Sequence, residues 1–83
     1  MKYIIDCSYR RDEGDKTHIL GHCVYDTREG AVAGLVAHFK SEGWTDAEID
    51  EYNNWGSNIR EGKYFDEEVT YIIIGFEINV NNI

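Results

Sequence analysis

The sequence predicts a small α+β domain, in which one main helix packs on an antiparallel sheet of three or four strands. Three observations lead to this fold class: two apolar segments open the chain, a helical pattern follows them, and a long apolar segment comes last. The expected order of elements is β-β-α-α-(β)-β. With 83 residues, the sequence is long enough for a single domain spanning residues 1–83.

The first two strands are predicted from alternation and apolar content. Residues 2–9 alternate as a half-buried strand does, and residues 18–25 form a second apolar segment. Between them, residues 10–17 are charged and contain Gly14, which predicts a loop longer than the commonest hairpin turns. A hairpin is therefore expected, and Gly21 is expected to mark a bulge or a close contact.

The main helix is predicted to begin after Asp26 or Thr27, either of which can cap it. Gly43 suits the left-handed backbone conformation that follows the last turn of this helix. Trp44 is placed for the apolar contact with the helix that often accompanies such an ending. Four apolar residues recur at the spacing of one buried helical face. They are Val32, Leu35, Val36 and Phe39.

A second, short helix is predicted from a capping box formed by Thr45 and Glu48. It must dock on the core through Ile49 and Tyr52, together with Trp44 or Trp55, since so short a helix is not stable alone. The stretch from Ser41 to Gly56 holds five acids and no base. Asp46 and Asp50 lie four residues apart in it, a like-charge spacing that destabilises a helix.

The C-terminal third begins with a polar connection, residues 57–68, in which residues 63–65 are a candidate short strand. The strongest strand signal follows, from Val69 to Val80. Both of its faces are apolar in the middle, which indicates either a central strand covered on both sides or a strand that uses one face for binding.

The charge is segregated along the sequence. Sixteen acids oppose eight bases, giving a net charge of −8, and residues 42–68 alone hold nine acids and two bases. Such a distribution creates a directional field that steers a basic partner. It argues against direct nucleic-acid binding, which needs a basic surface. The alternative interpretation is that the acids only maintain solubility.

Neither a cofactor nor an enzymatic activity is expected. His18, His22, Cys7 and Cys23 are the only metal-like set, but on strands the two histidines would lie about 13 Å apart, too far to share one ion. No nucleophile–base pair or glycine-rich phosphate loop is visible. His38 is expected at the surface, and the cysteines as reduced, buried small residues in two strands.

A cytoplasmic location without membrane contact is expected from the sequence. The longest apolar run, Tyr71 to Phe76, falls far short of the roughly 20 residues that span a bilayer. Charged residues occur from the second position onward, and the N-terminal segment lacks the apolar core of a signal peptide.

The acidic segment supplies the candidate binding residues. Carboxylates a few ångströms apart on a rigid helix and an adjoining loop can occupy the places of phosphates and meet the Arg and Lys side chains that neutralise nucleic acid. Aromatic side chains among them would serve as anchors. The candidates are Asp46, Glu48, Asp50, Glu51, Tyr52, Trp55, Glu61, Asp66, Glu67 and Glu68.

A compact, proline-free chain with tyrosines interleaved in an acidic segment resembles phage-encoded inhibitors of bacterial defence, the anti-CRISPR and anti-restriction proteins. The segment Trp55-Gly56-Ser57-Asn58 after the acidic helix, with a tyrosine-containing strand from Tyr71, also resembles a type II-C anti-CRISPR that blocks a Cas9 nuclease domain. The resemblance implies an inhibitor in the host bacterial cytoplasm that binds a nucleic-acid-binding protein or Cas complex. It assigns no role to individual residues.

Two other functions remain open from the sequence. An immunity protein or antitoxin would use the same acidic surface against a toxin. A structural module would instead form a homodimer by pairing the apolar strand Val69–Val80 with its twin.

Overall fold

The computed structural model describes residues 1–11 and 14–77, and it confirms the α+β class. The described strands are β1 (Lys2–Arg11), β2 (Gly14–Ile19), β3 (Lys63–Phe65) and β4 (Val69–Phe76). The α-helices are α1 (Arg28–Ser41) and α2 (Asp46–Glu51), and single 3-10 turns form at Leu20–His22 and Ile59–Glu61. None of the helices in the described ranges is long and apolar enough to cross a bilayer.

The four strands form one antiparallel sheet in the order β2-β1-β4-β3. The two central strands pair over their whole shared length, from Lys2 opposite Phe76 to Tyr9 opposite Val69. The C-terminal strand of the sequence is therefore an inner strand of the sheet. Pairing β4 with its twin is excluded where β3 already occupies its outer side, opposite Thr70, Tyr71 and Ile72.

The predicted loop at residues 10–17 is wrong. β1 continues to Arg11 and β2 begins at Gly14, with Arg11 directly opposite Gly14 in the ladder. The residues on either side of positions 12–13, which lie outside the described residues, thus continue the two strands of the hairpin.

The second strand was also predicted too far along the chain, since β2 ends at Ile19. Gly21 and His22 have φ values of +67° and +54°, which no strand can accommodate. After this turn Tyr25 returns to the sheet and exchanges backbone hydrogen bonds of 2.8 and 2.9 Å with Tyr3. The predicted strand at residues 18–25 is thus divided between β2, a turn and this isolated bridge.

The main helix has the predicted ends. The Thr27 hydroxyl accepts a hydrogen bond from the backbone N–H of Gly30, so Thr27 is the cap rather than Asp26. At the other end, the N–H of Trp44 donates to the Phe39 carbonyl and the N–H of Gly43 to that of Lys40, the two bonds of a Schellman motif.

The helical face that meets the sheet differs slightly from the prediction. Ala31, Leu35 and Phe39 are buried, whereas Val32 and Val36 are half-buried at its margin. The helix lies on the sheet face that carries Ile5, Cys7 and Tyr71. Tyr64, Ile49 and Ile59 complete the core between α1, α2 and the sheet.

Five aromatic side chains near the C-terminal end of α1 connect the helices to the sheet. Phe39 is the hub, with ring centroids 4.8 Å from Tyr64, 4.9 Å from Trp44 and 5.5 Å from Tyr71. Tyr52 packs between the rings of Trp44 and Tyr64, which docks α2 on the core as predicted. Trp44, not Trp55, supplies the indole for this docking.

The last strand is shorter than predicted, since β4 ends at Phe76 and Glu77 lies outside it; residues 78–80 of the predicted strand fall outside the described residues. Tyr71 and Ile73 face α1, and Ile72 and Ile74 point to the opposite face of the sheet. Ile72 and Ile74 retain 36% and 40% of their surface exposed. β4 is therefore a central strand with one apolar face packed against α1 and the other partly exposed, and binding through the exposed face stays a prediction.

Candidate functional site

A tight turn between α2 and β3 holds Trp55 away from the core. Trp55 and Gly56 both adopt left-handed backbone conformations, with φ values of +56° and +81°. For a non-glycine residue this conformation costs about 1 kcal/mol or more, so the surrounding contacts must fix it. The Trp55 side chain is 83% exposed, the most exposed large apolar residue in the described part of the chain.

Buried Ser57 provides those contacts. Its backbone N–H donates to the Asn54 carbonyl at 2.9 Å, which closes the turn. Its hydroxyl donates to the carbonyl of Phe65 at 3.1 Å and accepts from the N–H of Phe65 at 2.6 Å. The turn is thereby fastened to β3, which places Trp55 beside Phe65.

Trp55, Phe65, Asp66 and Glu67 line a surface pocket of about 400 Å³. The structure therefore brings together three of the predicted binding residues, one aromatic and two acidic. An indole and a phenyl ring beside two carboxylates offer a cationic side chain both an aromatic face and charge partners.

Asp66 is held in place as a charged group. It accepts hydrogen bonds from the N–H of Glu68 at 2.9 Å and from the Tyr64 hydroxyl at 2.8 Å. Both hydrogen bonds hold the pKa of Asp66 below its usual range, and the bond from the backbone N–H of Glu68 has the larger effect. Burial among the aromatic side chains around Phe39, together with the neighbouring Tyr52 and Asp66, raises the pKa of Tyr64. The Tyr64 hydroxyl therefore keeps its proton and remains a hydrogen-bond donor.

The acids of α2 are less available than their sequence suggests. Arg60 donates through its Nε to Asp50 and through Nη2 to Asp46 at 3.2 Å, and Lys40 approaches Asp46 at 2.9 Å. Lys40 and then Arg60 lower the pKa of Asp46. The repulsion predicted between Asp46 and Asp50 is offset in the structure, because one guanidinium bridges the two carboxylates.

The remaining candidates have different roles. Glu48 completes the capping box by accepting from the N–H of Thr45 at 3.1 Å, whereas Glu51 is exposed and, within the described residues, has no ion-pair partner. Glu61 lies 3.9 Å from Lys63. Glu68 is exposed, and its N–H holds Asp66. Tyr52 is half-buried and accepts a hydrogen bond from Asn54, so it supports the core more than it projects from it.

The histidine and cysteine predictions need correction. His38 is half-buried rather than at the surface, and its Nε2 lies 2.7 Å from a Glu42 oxygen and 3.1 Å from the Tyr71 hydroxyl. Cys7 is buried, as predicted, but Cys23 is exposed and outside any strand. Over residues 1–11 and 14–77, no three His, Cys, Asp or Glu side chains are grouped as metal ligands.

Three residues that shape the site were not identified from the sequence. Phe65 forms the pocket wall, Lys40 pairs with Asp46, and Arg60 pairs with both Asp46 and Asp50. Arg60 carried a usable signal, because it is one of only two bases between residues 42 and 68 and so had an excess of acidic partners nearby.

Comparison with protein-family models, with curated proteins and with solved structures finds no match to this chain.

Proposed function

We propose that this protein is a small acidic inhibitor that binds the basic, nucleic-acid-binding surface of a target protein, in the manner of an anti-CRISPR. The observation that carries the proposal is Trp55, 83% exposed and held against Phe65, Asp66 and Glu67 in one pocket. The energetic cost of the left-handed backbone at Trp55 also supports a binding role, because the fold gains no core packing from this indole.

The pocket suits one arginine or lysine side chain of the target. The cation would lie on the indole face while its N–H groups meet the carboxylates of Asp66 and Glu67. Asp66 is already positioned by two hydrogen bonds, so little ordering is needed when the partner binds. Exposed Glu51 and Glu61 add to the attractive field around this pocket.

The structure also changes which residues should be tested. Asp50 is tied to Arg60, so reversing its charge would disturb α2 as well as any interface. Glu67 and Glu51 are exposed, and their reversal leaves no described ion pair broken. Glu77 is a matched control, since it is exposed just beyond the other end of β4, about 23 Å along the chain from Thr70, which pairs with Phe65 of the pocket.

The test is affinity capture from bacterial lysate with elution in steps of rising salt. The expected result is a nucleic-acid-binding protein, retained at low salt and released at moderate salt. Trp55→Ala should weaken its binding about tenfold, and Glu51→Lys/Glu67→Lys should weaken it further. Glu77→Lys should leave it unchanged. Capture of a toxin instead would identify an immunity protein.

Two outcomes contradict the proposal. One is that no basic partner is retained at low salt. The other is that the Trp55 and Glu67 variants retain a partner as well as the parent does, because the pocket would then lie outside the interface. Circular dichroism of each variant establishes that the fold is intact.

A further inference from the structure

The pocket beside Trp55 is built from two separate segments of the chain. Trp55 lies in the turn that follows α2, whereas Phe65 is the last residue of β3 and is followed at once by Asp66 and Glu67. The Ser57 hydroxyl joins the two segments, because it is hydrogen-bonded to both the N–H and the carbonyl of Phe65. The indole and the two carboxylates therefore reach the pocket from segments whose relative position is fixed.

The two acids of the pocket keep hydrogen-bonding capacity for a ligand. Asp66 accepts from the N–H of Glu68 at Oδ1 and from the Tyr64 hydroxyl at Oδ2. A carboxylate offers about four acceptor sites, so Asp66 can accept further N–H donors while these bonds hold it in place. Glu67 is exposed and supplies a second carboxylate beside it.

The two basic side chains differ in how they can use rings and carboxylates together. A guanidinium carries its five N–H donors in one plane, and its two faces carry none. It can therefore lie flat on an aromatic ring while its edge donates to carboxylates. An ammonium directs three donors away from a single atom and is more strongly hydrated, so contact with a ring leaves donors without an acceptor.

We propose that the pocket selects arginine over lysine. This inference rests on the proposed function, from which it takes a basic side chain of the target as the occupant. The guanidinium lies on the indole of Trp55, which is 83% exposed and so presents its face without any movement of the core. Its N–H groups donate to Asp66 and Glu67, and Phe65 contacts its methylene stem.

NMR titration of the ¹⁵N-labelled full chain tests this selectivity at constant ionic strength. The probes are N-acetyl-arginine amide, N-acetyl-lysine amide and N-acetyl-citrulline amide, the last being planar but uncharged. The chain has two tryptophans, so Trp55→Leu identifies which indole N–H signal belongs to Trp55. The arginine probe should shift this signal with a dissociation constant of about 1 mM, and the lysine probe should bind about fivefold more weakly. The citrulline probe should leave the signal in place.

Variants separate the contribution of the ring from that of the charge. Trp55→Leu should remove the preference for arginine, as measured at the backbone signals of Asp66 and Glu67, because leucine offers no flat face to the guanidinium. Glu67→Gln should weaken binding of the arginine probe about fivefold. Glu77→Gln is the matched control and should leave binding unchanged, since Glu77 is exposed just beyond the other end of β4. The dispersion of the remaining signals shows whether each variant is folded.

Three results would overturn the selectivity: a lysine probe that binds as well as the arginine probe, a citrulline probe that binds as well, or a Trp55 signal that no probe shifts. Capture of a nucleic-acid-binding protein that depends on Trp55 would still support the inhibitor in each case. Conversely, an arginine-selective pocket in a chain that captures no such protein would refute the inhibitor and leave the selectivity in place. The two proposals can therefore fail separately.

Discussion

Gly34 provides the sharpest test of how α1 is seated on the sheet. A Cβ atom added at Gly34 would lie 2.3 Å from the hydroxyl oxygen of Tyr25 and 2.7 Å from its Cζ. Such distances require the Tyr25 ring to leave its position over the helix. Alanine is the better helix former by about 1 kcal/mol, whereas overpacking costs about 1 to 3 kcal/mol. Because the contact is this close, we expect an overpacking cost of about 3 kcal/mol. After the gain of about 1 kcal/mol in helix propensity, Gly34→Ala should lower the free energy of unfolding by about 2 kcal/mol.

The effect of Gly34→Ala on the free energy of unfolding should change sign once the Tyr25 ring is removed. In a Tyr25→Ala background, Gly34→Ala should stabilise the protein by about 1 kcal/mol, a coupling of about 3 kcal/mol between the two positions. Urea unfolding of the four proteins measures both values, and Ala37→Gly calibrates the helix propensity at an exposed position of the same helix. A stabilised single variant, or a coupling below about 0.5 kcal/mol, would refute the packing of Tyr25 on Gly34.

Two further predictions concern buried polar groups. Burial raises the pKa of Cys7 above 9.0 and the pKa values of Tyr64 and Tyr71 above 10.0, so the folded state keeps protons that the unfolded chain releases. These three groups should therefore leave the free energy of unfolding unchanged from about pH 7 to pH 9 and make it fall above about pH 9; a value that rises there would contradict this burial. Thr70 is 7% exposed, and its hydroxyl has no hydrogen-bond partner in the described part of the chain, so Thr70→Val should stabilise the protein by about 1 kcal/mol in urea unfolding. A loss of stability would show that this hydroxyl is hydrogen-bonded.

The features that the sequence predicted well depend on a few consecutive residues. The capping box at Thr45 and Glu48 and the Schellman motif around Gly43 are local hydrogen-bond patterns, and both are present. The fold class followed from the order of the apolar segments, which is also a local property.

The errors occurred where distant residues decide the outcome. The ion pairs of Arg60 with α2, which were not predicted, join residues 10 and 14 positions apart in the sequence. The choice between Trp44 and Trp55, which the sequence left open, depends on how the turn after α2 is held to β3 through Ser57. The end of β2 depends on a left-handed conformation at His22, a residue that gives no strong turn signal. Of the candidate site, the sequence identified Trp55, Asp66 and Glu67 individually, but only the tertiary structure places them in one pocket.

Competition with nucleic acid on the captured partner tests the proposed inhibition most directly. Labelled DNA is bound to the partner at low salt, and this protein is added in increasing amounts while the anisotropy of the label is followed. The account predicts that DNA is displaced, that Trp55→Ala requires about ten times more protein, and that Glu77→Lys behaves like the parent. A ternary complex in which DNA and this protein remain bound together would contradict it.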